Sequence, residues 1–224
     1  MGVLLMLMTI GGLIVAVILL GISLFTRKSW LMKFTVGGIA VWFVFYAVLL
    51  IGSSLTSKKT MIAVGNTDGK EFCGFYLDCH LHATVTGLRT AKQIGDRSAN
   101  GEFYIVKVKV SSDARNPSIG FRLLEPKARV VLANGDKIVR DDEAEKLLPT
   151  ATADLGANIK GSETIEKEIV FDIPPASSDL KLLITEGYGI DKVIERVLVG
   201  DEDSIFHAQT FFKLQEQNVA LGVK

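Results

Sequence analysis

The sequence predicts two membrane-spanning helices followed by an antiparallel β-sandwich. Two apolar stretches without a charged residue, 2–25 and 34–55, lie near the N-terminus. At 1.5 Å per residue, helices of this length reach roughly 33 to 36 Å, enough for a hydrocarbon core of about 30 Å. From Cys73 onward the hydrophobic period changes from helical to two, which is typical of half-buried strands.

The orientation in the membrane is predicted from the segment between the spans. This loop, 26–33, carries Arg27, Lys28 and Lys33 and no acidic residue, as expected of a cytoplasmic loop. Both ends of the chain would then lie outside the cytoplasm. Because Lys58 and Lys59 form a second, smaller basic cluster, the inverted topology stays open. A cleavable signal peptide is not favoured, since no basic region precedes the first apolar stretch.

Small residues inside the spans indicate how the two helices pack. In an antiparallel hairpin that turns near Ser29 and Trp30, Gly21 faces Gly38 and Gly12 faces Ala47. Small residues that meet at two levels allow helix backbones to approach closely in lipid. The sequence therefore predicts a packing seam at these positions, although small residues scattered by chance in a Leu-rich span are the alternative.

The remaining chain is long enough for one core-bearing domain. After the helical region, 1–56, the segment 57–71 is interpreted as a tether, 72–215 as the sandwich and 216–224 as a C-terminal tail. The 25 basic and 25 acidic residues balance, and no basic stripe stands out beyond the membrane flanks. Nucleic-acid binding is therefore not supported.

Two segments alternate clearly enough to assign faces. In Gly101–Val110 the even-numbered apolar residues from Tyr104 share one face, opposite Lys107 and Lys109. In Ser162–Ile173 the inward residues are Ile165, Ile169, Phe171 and Ile173, and the outward residues are Glu166, Glu168 and Asp172. Pro174 and Pro175 end this strand because neither can donate a hydrogen bond to a sheet.

Turn signals complete the sandwich. Asn134-Gly135, within Ala128–Val139, predicts a hairpin with a type I′ turn, which needs positive φ at both central residues. Seven or eight short strands with such signals favour a sandwich, and Asp141–Leu148 is read as a short helix or a solvated loop. Further strands are expected at His80–Leu88, Asp179–Thr185, Lys192–Val199 and His207–Leu214.

Several of these segments resemble a known group of bacterial proteins. The chain over about 72–214 looks like the uncharacterised immunoglobulin-like domain of bacterial lipoproteins and small membrane-anchored envelope proteins. The resemblance implies an immunoglobulin-like sandwich on the periplasmic or extracellular side of a bacterial inner membrane, and no known activity. The matching residues are Gly101–Val110, Gly161-Ser162-Glu163, Ile169–Pro174, Cys73, Asp78-Cys79-His80-Leu81, Gly200-Asp201-Glu202-Asp203-Ser204 and Phe206-His207.

The two cysteines have two competing interpretations. Cys73 and Cys79 lie close together in a domain expected in an oxidising compartment, which favours a disulfide. Alternatively, both thiols together with His80 and His82 supply ligand types that suit Zn²⁺ or Cu. On a strand Cys79 points away from the two histidines, which disfavours this metal site. Free thiols remain a third possibility.

Other polar clusters have simpler interpretations. Asp201, Glu202 and Asp203 offer oxygen ligands for Ca²⁺, but three acids in a turn are more commonly a solvated surface. The acidic run Asp141, Asp142, Glu143 and Glu145 is interpreted in the same way. No catalytic motif is recognised, so we expect no enzyme, no catalytic residue and no cofactor.

These observations favour a membrane-anchored binding or scaffolding module of the bacterial cell envelope. Its expected partners are the lipid bilayer and an unidentified protein. One alternative is a metal-binding or thiol-redox envelope protein that uses Cys73, Cys79, His80 and His82. The other is an accessory subunit that docks on a larger membrane complex through its helices.

Overall fold

The computed structural model describes residues 2–74, 78–187 and 189–215. Contacts divide these residues into a helical unit, 2–59 with 189–209, and a sandwich unit, 60–187 with 210–215. The predicted combination of an N-terminal helix pair and a β-sandwich is confirmed. The expected tail, 216–224, lies outside the described residues.

Two long helices form most of the helical unit. α1 spans Gly2–Thr26 and α2 spans Ser29–Thr56, so only Arg27 and Lys28 connect them. Arg27 adopts a φ of 52°, a left-handed conformation that reverses the chain sharply. The predicted loop, 26–33, was therefore too long, because nothing between Ser29 and Lys33 breaks a helix.

The shorter connection shifts the register between the helices. Trp42 donates its indole N–H to Thr9 Oγ1 at 3.0 Å, whereas the predicted register places Val17 opposite Trp42. The shift of eight residues corresponds to about two helical turns. Ala16 and Thr35 are among the few buried residues of the pair.

The predicted glycine seam is wrong for this reason. A Cβ added at Gly12, Gly21 or Gly38 would meet no atom within 4 Å, and Ala47 is exposed. Gly12 and Gly38 instead line an apolar groove of about 340 Å³ between the helices. Trp42 lines the same groove and bonds there to Thr9 of α1.

Three sheets build the sandwich unit. One has the order β2-β3-β4-β9, a second has β1-β11-β10-β6-β7, and the third pairs β5 with β8. The strands are β1 Met61–Ala63, β2 Lys70–Gly74, β3 Asp78–Ile94, β4 Arg97–Ser112, β5 Gly120–Phe121, β6 Lys127–Val131, β7 Lys137–Val139, β8 Ile159–Lys160, β9 Thr164–Ile173, β10 Lys181–Thr185 and β11 Phe211–Lys213.

The main hydrophobic core lies between the two larger sheets. From the first sheet it takes the predicted inward faces of β4 and β9, including Val106, Val108 and Phe171, all of them fully buried. From the second sheet it takes residues such as Leu182 and Phe212, which are also fully buried. The alternation predicted for β4 and β9 is confirmed.

A second, smaller core covers the opposite face of the first sheet. Its lid is the short helix α3, Asp142–Glu145, which Asp141 caps by accepting a hydrogen bond from the Ala144 N–H at 3.0 Å. The middle of β4, where Phe103 and Ile105 face one side and Val106 the other, is therefore buried on both faces. The members of this core are Ile94, Phe103, Ile105, Ala144, Leu148 and Val170.

The hairpin between β6 and β7 turns differently from the prediction. Only Gly135 has a positive φ, 90°, so the turn is not type I′. The Leu132 N–H donates to Asp136 O at 2.9 Å, which leaves a three-residue loop between the paired residues. In such loops a type I turn is followed by a residue in the left-handed region, which glycine favours.

Three further expectations were wrong. The segment 57–71 is not a tether, since it contains β1 and the start of β2, and Ile62 of β1 is buried. β1 also pairs with β11 in parallel, so the sandwich is not antiparallel throughout. The expected strand Lys192–Val199 is instead occupied by α4, Ile190–Val197, which belongs to the helical unit although it lies within the range 72–215.

A crosslinking experiment distinguishes the two helix registers. In a Cys73→Ser, Cys79→Ser background, the pair Thr9→Cys with Trp42→Cys should react efficiently with a short bifunctional thiol reagent, because the two positions face each other. The matched pair Val17→Cys with Trp42→Cys should react poorly. Mobility on a denaturing gel after proteolysis within 27–28 measures the linkage. More efficient crosslinking of the second pair would instead support the predicted loop 26–33 and its register.

Candidate functional site

The disulfide lies where the first sheet begins. Cys73 is on β2 and Cys79 is on the neighbouring strand β3, and the two sulfur atoms are bonded. Both residues are exposed. The alternative metal site would need both cysteines as thiolates. Because they are bonded to each other, they cannot bind a metal ion together with His80 and His82.

A histidine and carboxylate cluster lies beside the disulfide. His80 and His82 share one face of β3, and Asp113 follows the end of β4. His80 Nδ1 lies 2.8 Å from Asp113 Oδ1, and His82 Nε2 lies 3.2 Å from Asp113 Oδ2. The hydrogen bond with His80, followed by that with His82, lowers the pKa of the Asp113 carboxyl below its usual value.

Asp113 was missed at the sequence level. It comes opposite His80 because β3 and β4 pair with Leu81 against Ser112, a relation between residues far apart in the chain. The ring of Phe121 lies against His80, with centroids 5.3 Å apart. Within the described residues, no group of three or more His, Cys, Asp or Glu side chains is arranged to hold a metal ion.

The acidic turn considered for calcium belongs to the helical unit. Asp201 Oδ1 accepts a hydrogen bond from the Asp203 N–H at 2.9 Å, and Asp203 Oδ1 accepts one from Gln209 Nε2 at 3.1 Å. Burial raises the pKa of Asp201 above its usual value. The carboxylates of Asp201 and Asp203 therefore stabilise a turn that also contains Glu202. His207 follows this turn, and its Nδ1 lies 3.0 Å from Ala208 O.

A polar groove of about 640 Å³ opens where the start of β4, the end of β9, β7 and α3 meet. Its acidic side chains outnumber its basic ones, and those of Asp142 and Glu143 are 76% and 66% exposed. Among the described residues that line it there is no Ser, Thr, Cys, His or Lys. The lining is Arg97, Asn100, Gly101, Ile138, Val139, Arg140, Asp141, Asp142, Glu143, Asp172, Pro174 and Pro175.

Hydrogen bonds hold the walls of this polar groove in place. Arg97 donates to Asp141 Oδ2 at 2.8 Å, which joins the start of β4 to the cap of α3. Asp172 accepts hydrogen bonds from the Asn100 N–H at 2.8 Å and the Gly101 N–H at 3.0 Å. Burial alone would raise the pKa of Asp172, but these hydrogen bonds outweigh it and the pKa is lowered.

Glu145 lies behind the polar groove and is almost completely buried. Its side chain is 5% exposed and forms an ion pair with Arg140, and its Oε2 lies 3.8 Å from Lys167 Nζ. Glu145 Oε1 also accepts a hydrogen bond from the Val170 N–H of β9 at 3.2 Å. The bond to Glu145 raises the pKa of Arg140. The interpretation of Glu145 as a solvated surface residue was therefore wrong.

Comparisons with known proteins give structural similarity only. No protein-family model matches the sequence, and no curated protein matches it either. The secreted protein MPT63 from Mycobacterium tuberculosis is similar at 12% identity and a TM-score of 0.42, over 70% of this chain and 99% of that chain. The YjhA protein from Bacillus subtilis is similar at 15% identity and a TM-score of 0.42, over 69% and 100%. An uncharacterised β-sandwich protein from Clostridium difficile has 11% identity and a TM-score of 0.37, over 71% and 96%.

Removing the buried charge should destabilise the sandwich unit. Glu145→Gln removes the buried carboxylate that pairs with Arg140 and Lys167, and breaking a buried ion pair costs about 3 to 5 kcal/mol of unfolding free energy. Glu143→Gln, a matched change at a side chain that is 66% exposed, should stay within about 0.5 kcal/mol. Urea unfolding of the full chain in detergent, followed by circular dichroism, measures the unfolding free energy of both variants. Equal losses in the two variants would contradict a stabilising role for the buried Glu145 ion pairs.

Proposed function

We propose that this chain is an integral membrane protein that presents its β-sandwich outside the cytoplasm as a binding or scaffolding module and performs no catalysis. The observation that carries the proposal is the exposure of α1 and α2. In the most apolar 18-residue stretch of each helix, only 11% of the residues are buried by the protein itself. Side chains of this kind are buried in the core of a soluble protein. A lipid bilayer is the environment in which uncharged helices of this length are stable.

The orientation is supported by charge and by the disulfide. Arg27 and Lys28 form the whole connection between α1 and α2, and basic residues are enriched in cytoplasmic connections. The opposite ends of both helices, and the chain that follows, would then lie outside. The bond between Cys73 and Cys79 agrees with this side, because disulfides persist in oxidising compartments.

The polar groove is the surface that best suits a partner. It is concave, its exposed Asp142 and Glu143 favour a basic segment of another protein, and Pro174 and Pro175 add an apolar contact at its rim. Arg97 pairs with Asp141 and Arg140 pairs with Glu145. The four acidic residues of the lining outnumber these two arginines. The metal-binding alternative loses both of its thiol ligands to the disulfide.

Accessibility of single cysteines tests the topology. In a Cys73→Ser, Cys79→Ser background, a membrane-impermeant thiol reagent should label Ser98→Cys on β4 in cells whose outer membrane, if present, is permeabilised. Ser29→Cys, at the start of α2, is the matched control and should react only after the inner membrane is lysed. Both positions are exposed in the structure. The reverse pattern would establish the inverted topology, and release of the chain by alkaline carbonate would contradict membrane spanning.

Photo-crosslinking tests the binding role. A photoreactive residue at Glu143 should give a discrete protein adduct in membranes, and the reversals Asp142→Lys and Glu143→Lys should each weaken partner binding by about tenfold, since like charges then meet. Ile119, which is 48% exposed and lies outside the polar groove, is the control position and should give no such adduct. Mass spectrometry identifies the adducts. Absence of an adduct at Glu143, or the same adducts at both positions, would contradict this use of the groove.

A further inference from the structure

The segment 189–209 is inserted between two strands of the sandwich, yet it packs with the long helices. The Tyr46 hydroxyl donates to Val197 O at 2.6 Å, and Ser54 Oγ lies 3.2 Å from Ser204 Oγ. A Cβ added at Gly2 would collide with the carbonyl oxygen of Val199, so glycine allows close approach to the start of α1. The segment is therefore fixed at the end of the helix pair that lies opposite the Arg27-Lys28 connection.

The fold of this segment is itself well defined. The Ile205 N–H donates to Arg196 O at 3.1 Å, which folds the turn after α4 back onto the helix. The Ala208 N–H donates to Ser57 Oγ at 2.8 Å, which returns the chain to the end of α2. Leu198 and Ser204 are buried against the helices. These contacts hold the segment in one conformation, so the side chains on its surface away from α1 and α2 are also fixed in position.

That outer surface is apolar to an unusual degree. Val193 and Val197 lie one turn apart on α4 and are 64% and 41% exposed. Ile205 and Phe206 follow in the returning turn and are 41% and 72% exposed. Phe206 has a φ of 65°, which is uncommon for a bulky residue, and the turn keeps its ring outside the protein. Four large apolar side chains in one short segment require an apolar neighbour.

Charged residues of both signs accompany these apolar side chains, and the acids of the segment outnumber its two basic residues; the acids are Asp191, Glu195, Asp201, Glu202 and Asp203. Lys192 and Arg196 also lie one turn apart on α4, next to the valines in sequence, and both are exposed. A helix with an apolar face and Lys or Arg on its polar face is typical of one that lies in the plane of a membrane interface. Long basic side chains can bury their stems near apolar surface and reach the lipid phosphates.

The position of the segment selects lipid as the neighbour. It lies at the end of two helices whose own apolar side chains are exposed, so its apolar surface continues theirs. We propose that residues 189–209 form an interfacial anchor in which Val193, Val197, Ile205 and Phe206 enter the acyl boundary of the outer leaflet. This proposal depends on the membrane-spanning role of α1 and α2 proposed above.

Quenching by brominated lipids tests the anchor in the full chain, with its disulfide intact. Single cysteines at Val193, Phe206, Val41 and Ser98 are labelled with an environment-sensitive fluorophore, and the protein is reconstituted in vesicles of phosphatidylcholine and phosphatidylglycerol. Val41, 71% exposed in α2, reports the span, and Ser98 reports the sandwich. We expect quenching at Val193 and Phe206 by lipids brominated near the headgroup, quenching at Val41 by lipids brominated deep in the chain, and none at Ser98.

The outcomes separate the two proposals. Quenching at Val41 without quenching at Val193 and Phe206 overturns the anchor and leaves the spanning helices intact. Lack of quenching at Val41 overturns the spanning role itself. Blue-shifted emission at Val193 without quenching means that protein covers the face, which also overturns the anchor.

Discussion

Burial of β4 on both faces is the constraint on which the sandwich unit depends. β4 pairs with β3 and β9, and its even-numbered residues from Tyr104 to Val110 face the main core. Phe103 and Ile105, on the opposite face, are covered by α3 and Leu148. Each such side chain contributes about 1.5 to 3 kcal/mol when fully buried, so a slip of one residue would exchange two sets of buried side chains at once. The register of the first sheet is therefore strongly specified.

The covering of β9 explains why a charged residue is buried beside this strand. Within the part of the chain that the structure describes, β9 has a strand partner only on the β4 side, and an uncovered edge invites pairing with another chain. The Asp141 N–H donates to Val170 O at 2.8 Å, and the Glu168 N–H donates to Thr150 Oγ1 at 3.1 Å. With the bond from the Val170 N–H to Glu145, side chains and loop backbone take the place of a further strand. The ion pairs of Glu145 with Arg140 and Lys167 hold its side chain in position beside β9.

Local patterns were sufficient for β4 and β9, because alternation is a property of neighbouring residues. The features that were missed are non-local or depend on one or two residues. The connection at Arg27 moved the helix register by two turns, Asp113 met the histidines only through strand pairing, and Glu145 was buried by residues far along the chain. Val193 and Val197 repeat at helical spacing, but the short apolar run in 192–199 also fits a strand, and length alone does not separate the two.

The pairing of the first strand with the last has a consequence for biosynthesis. β1, Met61–Ala63, lies beside β11, Phe211–Lys213, so β1 cannot join the second sheet until the roughly 150 residues up to β11 have been synthesised. Contacts between such distant residues form slowly, because loop-closure entropy is lost before the contact is gained. Until β11 is in place, the edge of β10 that later pairs with it stays open, and an open edge can pair with another chain.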